Sequence, residues 1–262
     1  VNVSSKINAR AFTRTVIAAG AAMSVVICAS AAQDAGPATA ASRDAHAFDY
    51  EHQRTWHVEA GDSQSPIEIR SSEVVAAERL RDENDAISVS ISRAGATVID
   101  NGHTVQVVPK NSSATIRGRH FGLVQVHFHA PAEHTIDGKR FPLEGHFVFK
   151  AQDGRFAVVA VLYQSGTENE QFAAVAKTAQ RDMALPLASF DAAALMPADL
   201  DSYFHYLGSL TTPPLTENVE WYVLQAPVDL SPDDIADFTR HYSHNARDPQ
   251  PLNGRPLLKY AR

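Results

Sequence analysis

Cysteine is almost missing from this 262-residue chain: the single one, Cys28, stands near the N-terminus. The remaining domain therefore has no intramolecular disulfide and no thiolate ligand for a metal. Long apolar runs are scarce too. Thr15 to Cys28 is apolar or small throughout, but it is shorter than the ~20 residues a spanning helix needs. No later run approaches that length, and no internal repeat is evident. An excess of positive charge is also lacking. The net charge of -7 speaks against nucleic acid or an anionic membrane as partner. What remains is ordinary globular material, 44% hydrophobic and 20% charged, long enough for one large domain with a substantial core. Against that background twelve histidines is a high count, and histidine commonly binds zinc and other transition metals.

The N-terminus reads as an address. Lys6, Arg10 and Arg14 precede the apolar stretch, and Ala29-Ser-Ala31 follows it as a small-residue cleavage site, which is the secretory pattern. This predicts a signal peptide over 1–32 and a periplasmic or secreted protein with no membrane span once processed. A lipoprotein reading would modify Cys28, but bulky Ile27 before it ranks that reading lower. Residues 33–45, rich in Ala, Gly, Pro and Thr, read as a flexible linker, which leaves 46–262 as one domain.

Within that domain short strand patterns alternate with turn residues. Ile87 to Ile91 alternates with period two, and Thr104 to Val108 follows the turn residues Asp100-Asn-Gly102. Leu123 to His129, Gly145 to Lys150, Phe156 to Tyr163 and Val219 to Leu224 are rich in Val, Phe and Leu and predict further strands. Two helices are predicted. One covers the Ala-rich stretch Asn169 to Arg181. The other opens at Ser231-Pro-Asp-Asp234, with a capping serine, a proline at the first helical position and acids in the first turn. The predicted class is mainly β (α+β), an antiparallel or mixed sheet with peripheral short helices.

Leu123 to His129 carries the chemistry. In a strand, residues two apart share a face, so Gln125, His127 and His129 lie on one side. Val124, Val126 and Phe128 lie on the other, which reads as core. Leu143 to Phe149 predicts a partner strand a short loop away, and a hairpin-like pairing would bring His146 to the first two histidines. Three neutral imidazoles leave a tetrahedral zinc one open position, the catalytic rather than the structural arrangement. Gln125 and Glu144 each stand two residues before a ligand, on its face, where they can accept the other ring N–H and fix its tautomer. Glu133-His134 adds a carboxylate beside the site. His46, His52, His57, His120, His205, His241 and His244 show no ligand spacing.

These residues resemble the α-carbonic anhydrases, over about Phe48 to Leu257. Gln64-Ser-Pro-Ile67, Asn101-Gly-His103, Gln125 to His129, Glu133-His134, Glu144-x-His146, Ser209-Leu-Thr-Thr-Pro-Pro214, Asn245-Ala-Arg247 and Gln250-Pro-Leu252 match family motifs in order. The resemblance implies a single catalytic domain over 46–262 with a central, largely antiparallel twisted sheet and zinc in a conical cleft. It also implies hydration of CO2 to bicarbonate and a proton by a hydroxide formed on zinc. In this likeness His127, His129 and His146 are the Zn2+ ligands, Thr211 the gatekeeper, Glu133 its acceptor and His103 the proton shuttle. Tyr50, Asn101, Gln106 and Thr212 resemble the polar wall that orders cleft waters. Val148, Val158, Leu210, Val219 and Trp221 resemble the apolar wall where CO2 sits. The carbonyl of Asn245 would receive the N–H of His129. A homodimer is compatible with the likeness.

The departures lie away from the metal. Many secreted bacterial relatives carry two cysteines, whereas Leu215 follows Pro214 here. Glu68 follows Gln64-Ser-Pro-Ile67 where Asn or Asp is usual, and Ala130-Pro131 stands where animal relatives have Trp-Gly. Two other functions fit the same residues. One is a zinc-dependent ester hydrolase. The other is a non-catalytic binding module, although relatives of that kind lose ligand histidines and all three are present here.

Overall fold

The computed structural model describes residues 48–58, 61–76 and 86–261; the signal and linker readings over 1–45 lie outside the described residues. In chain order the strands of the first half are β1 (Glu68–Ile69), β2 (Val75–Ala76), β3 (Ile87–Ile91), β4 (Ala94–Asp100), β5 (Val105–Pro109), β6 (Ser112–Ile116), β7 (Arg119–His129), β8 (Thr135–Ile136) and β9 (Lys139–Arg140). The second half holds β10 (Leu143–Lys150), β11 (Phe156–Ser165), α1 (Glu170–Thr178), β12 (Ala184–Phe190), β13 (Tyr203–Ser209), β14 (Glu217–Leu224), β15 (Val228–Leu230), α2 (Pro232–His241) and β16 (Leu258–Tyr260). The main sheet runs β12-β4-β5-β7-β10-β11-β14-β13-β16-β2. It is mixed: most neighbours are antiparallel, but β11 pairs β14 and β15 in parallel, as β16 does β2. No helix among the described residues is long and apolar enough to cross a membrane.

All six predicted strands form, with slightly different ends. Helix α1 stops at Thr178, short of the predicted Arg181, because Ala179 is already extended. Both helices are capped at their N-termini, the second by the serine the sequence marked and the first by an asparagine it did not. The Asn169 side chain accepts the N–H groups of Gln171 and Phe172, and the Ser231 hydroxyl accepts that of Asp234.

The two faces of the sheet have different tasks. Along β10 and β11, Phe147, Phe149, Val159, Val161 and Tyr163 join a core covered by Phe172 and Val175 of α1 and Phe238 of α2. The alternate residues Val148, Val158, Ala160 and Leu162 join a second cluster on the opposite face with Val219, Trp221 and Val223. A strand buried on both faces loses its polar alternation, which is why β10 and β11 read as nearly continuous apolar runs.

Strand β7 is irregular. Val148 pairs with Gln125, but Phe149 pairs with Leu123, so Val124 is an extra residue in a bulge. Val124 was expected in the core with Val126 and Phe128; instead it is 42% exposed. The bulge shifts the phase of the strand. Before it, Phe121 and Leu123 face the core; after it, Val126 and Phe128 do. His127 and His129 thereby point to the face opposite the one taken by Phe121 and Leu123.

Candidate metal centre

Register sets the constellation. His146 pairs with His127, and Glu144 with His129. On the other side of β7, Gln106 pairs with His127. Directly paired residues share a face, so strands β5, β7 and β10 aim Gln106, His127, His129, Glu144 and His146 into one space. One ring nitrogen from each of His127, His129 and His146 lies within 4.8 Å of the others. The ring centroids are 4.6 to 5.1 Å apart.

Each ring has one nitrogen engaged outward. His127 Nδ1–H donates to Gln125 Oε1 at 2.9 Å, and His129 Nδ1–H donates to the Asn245 carbonyl at 2.6 Å. His146 Nε2–H donates to Glu144 Oε1 at 2.8 Å. Burial, with the neighbouring rings adding to it, holds all three below the ordinary histidine range, His129 at about 4. Neutral imidazoles whose N–H groups point away turn three lone pairs inward. His129 Nε2 is buried with no hydrogen-bond partner. Converging acceptors without a donor between them fit a cation, and the set of three imidazoles fits Zn2+.

The surroundings form a hydrogen-bonded frame. Glu144 accepts from His146 on one side and from His134 on the other, at 2.6 Å from Nδ1 and 2.8 Å from the backbone N–H. His134 Nε2 in turn meets the Tyr206 hydroxyl at 2.7 Å. Burial pushes Glu144 up, but His134 and His146 outweigh it and hold the carboxylate well below its usual range. His134, Glu144 and His146 form a second trio of close ligand atoms, yet their distances are those of this hydrogen-bonded chain. Sequence reasoning gave His134 no role of its own, and Tyr206 none at all. Only the adjacency to Glu133 marked His134, and nothing local marked Tyr206.

Glu133 is fully buried. Its Oε1 accepts the Arg247 N–H at 2.7 Å and lies 3.4 Å from His129 Nδ1. Burial pushes it up to about 7, against the lowering effects of His146, the Arg247 N–H and the Thr211 hydroxyl. Thr211 is thus close enough to favour the carboxylate, while Glu133 Oε2 makes no hydrogen bond of ordinary geometry.

The expected apolar wall is one cluster, with Val148, Val158, Val219 and Trp221 buried and Leu210 packed against them. Val158 pairs with Val148 on one side and Trp221 on the other. Of the polar residues, Gln106 and Thr212 are half-buried and Asn101 is exposed. The Asn101 side-chain oxygen accepts the N–H groups of His103 and Thr104 at 3.0 and 2.9 Å, around Gly102 at φ +82°, a conformation that favours glycine. His103 stacks on Phe48, with centroids 4.2 Å apart and planes at 10°; that contact was not foreseen. Tyr50 is buried, edge-on to Phe48 and Trp56. Burial and the Glu133 charge push its phenol well up. Phe48, Tyr50, His103, His244 and Asn245 line one cavity of about 340 Å³.

Known proteins agree with this geometry. A family model described as eukaryotic-type carbonic anhydrase matches residues 51–261. The chain is 40% identical over 208 residues to a carbonic anhydrase of Pectobacterium carotovorum, covering 76% of this chain and 81% of that one. It is 36% identical over 210 residues to a carbonic anhydrase of Neisseria gonorrhoeae, covering 76% and 78%. The solved structure of the α-carbonic anhydrase from Thermovibrio ammonificans, in complex with the inhibitor sulfanilamide, matches with a TM-score of 0.71 at 36% identity, covering 76% of this chain and 88% of that one. With its motifs in order and three histidines converging on one face of the sheet, this chain belongs to the eukaryotic-type, α-class family of carbonic anhydrases.

Proposed function

We propose that the chain catalyses the reversible hydration of CO2 to bicarbonate and a proton, with Zn2+ held by His127, His129 and His146. Family membership supports the reaction. The observation that carries the metal is the inward set of lone pairs on three neutral rings, with His129 Nε2 buried and unpartnered. When bound, Zn2+ supplies the Lewis acidity that brings the pKa of water toward neutrality, a property known for this class of enzyme.

The chain's own residues supply the rest. Gln125, Glu144 and the Asn245 carbonyl hold the ring N–H groups outward, so each imidazole keeps its lone pair toward the cleft. Val148, Val158, Leu210, Val219 and Trp221 offer CO2 a wall that makes no hydrogen bonds to break on release. A cation beside Glu133 favours its carboxylate form, which leaves Oε2 free to accept a hydrogen bond from the Thr211 hydroxyl. The Thr211 oxygen is then an acceptor only, and it orients groups that carry a proton to donate. His103 moves the proton away, because histidine titrates near the operating pH. The N-terminal pattern of Lys6, Arg10, Arg14 and the apolar stretch after them supports export to the periplasm or medium.

Stopped-flow measurement of CO2 hydration, before and after chelation and with zinc restored, tests the proposal. Activity should vanish with the metal and return with it. Zinc-loaded protein that hydrates CO2 no faster than buffer would overturn it.

A further inference from the structure

Asn245 holds more than a ligand histidine. It is 3% exposed, and the hydrogen-bonding groups of its side chain are occupied. Its Oδ1 accepts the Ala130 N–H at 2.7 Å. Its Nδ2 donates to the Phe128 carbonyl at 3.0 Å and to the His103 carbonyl at 3.0 Å. Its backbone carbonyl receives His129 Nδ1–H, and its N–H donates to the Ala130 carbonyl at 3.1 Å. One residue therefore joins the end of β7, where His127 and His129 stand, to the turn that carries His103.

The other ties of that turn make the link specific. The His103 N–H is taken by Asn101 within the turn itself. Thr104 is bound to β7 through its hydroxyl, 2.5 Å from the Phe128 carbonyl. The His103 carbonyl is tied to the metal-ligand strand through the Asn245 carboxamide. A buried amide donor placed between two carbonyls is costly to misplace, because any shift weakens its bond to one of them.

We propose that Asn245 is a positioning residue for proton transfer, setting where His103 stands relative to the ligand strand. This rests on the reading of His103 as the shuttle. Its carboxamide reaches the His103 turn as well as the Phe128 and Ala130 backbone of β7, while its backbone carbonyl acts on the His129 ring, so its effect on proton transfer is read as a loss of turnover in excess of any loss of kcat/KM. Asn245→Asp keeps the size, the backbone carbonyl and the acceptor for Ala130, and it replaces the donor with an oxygen facing two carbonyls. The expected loss is roughly tenfold in turnover under dilute buffer, within the range that small misplacements of reacting groups produce. The efficiency kcat/KM, which reports the CO2 step, should fall by a clearly smaller factor than turnover.

The test is a double-mutant cycle of Asn245→Asp with His103→Ala, measured with and without imidazole buffer, alongside zinc content. Imidazole should restore turnover to Asn245→Asp, zinc content should match the unaltered protein, and Asn245→Asp should add no loss once His103 is removed. Independent of any variant, the Asn245 side-chain amide protons of the metal-free protein should exchange slowly with D2O. Equal losses of kcat/KM and kcat, lost zinc, additive losses in the cycle, or fast amide exchange would each overturn the inference. His103→Ala alone, if its loss were equal in all buffers, would instead remove the shuttle reading.

Discussion

Substituting Glu144 by glutamine isolates one buried carboxylate with little change in shape. In the native protein its Oε1 accepts from both His146 Nε2 and His134 Nδ1, and its Oε2 accepts the His134 N–H at 2.8 Å. Glutamine keeps one oxygen and can preserve the two ring contacts. Its amide group then faces the His134 N–H, donor against donor, and leaves a buried backbone group unpaired, a cost of roughly 1–3 kcal/mol. The lost negative charge also makes His146 a weaker base. Removing such partners of ligand histidines typically lowers metal affinity 10–100-fold, or about 1.4–2.7 kcal/mol. Chelator competition at neutral pH should therefore show zinc bound 10–100-fold more weakly. Urea unfolding of the metal-free protein should show a lower midpoint. Zinc affinity unchanged within twofold would refute the reasoning, because Glu144 would then be a packing residue that happens to touch a ligand.

Other consequences follow from the same geometry. The His129 pKa is lowered to about 4 by burial, so the unfolded chain binds more protons between about pH 6.5 and 4. Stability from this group is fully present above pH 6.5 and is lost as pH falls toward 4, and His127 and His146, also lowered, act in the same direction. Glu133, raised to about 7, opposes them between pH 4.5 and 7. The three histidines should win, so the urea midpoint of the metal-free protein should fall on acidification from pH 6.5 to 4; a rise would contradict the neutral-imidazole picture. Val158→Phe crowds the apolar wall and should cut kcat/KM for CO2 by on the order of tenfold or more with zinc retained, and unchanged efficiency would remove Val158 from the substrate wall. Val124→Thr, at an exposed bulge position, should change stability by no more than about 0.5 kcal/mol. Deleting Val124 should leave zinc bound, because Gln125 would then follow Leu123 directly, as their partners Val148 and Phe149 are already consecutive, and His127 and His129 would keep their face; loss of zinc with the fold retained would show that Val124 is not the extra residue.

The sequence alone determined the local chemistry. Spacing of two put Gln125, His127 and His129 on one face and Glu144 beside His146, and a capping serine marked the start of the second helix. These features are local, set by the strand period and by groups a few residues apart, so they survive in one dimension. The tertiary structure decided what depends on distant segments. It turned Val124 out and reversed the phase of β7, which no pattern within the strand reveals, since Phe121, Leu123, Gln125, His127 and His129 share one period. It brought Asn245 to the His103 turn and His129 across more than a hundred residues, and it placed Tyr206 against His134. Those contacts exist because sheet order, not sequence distance, decides which chain ends meet, and a hydrogen bond depends on where its two groups stand in space.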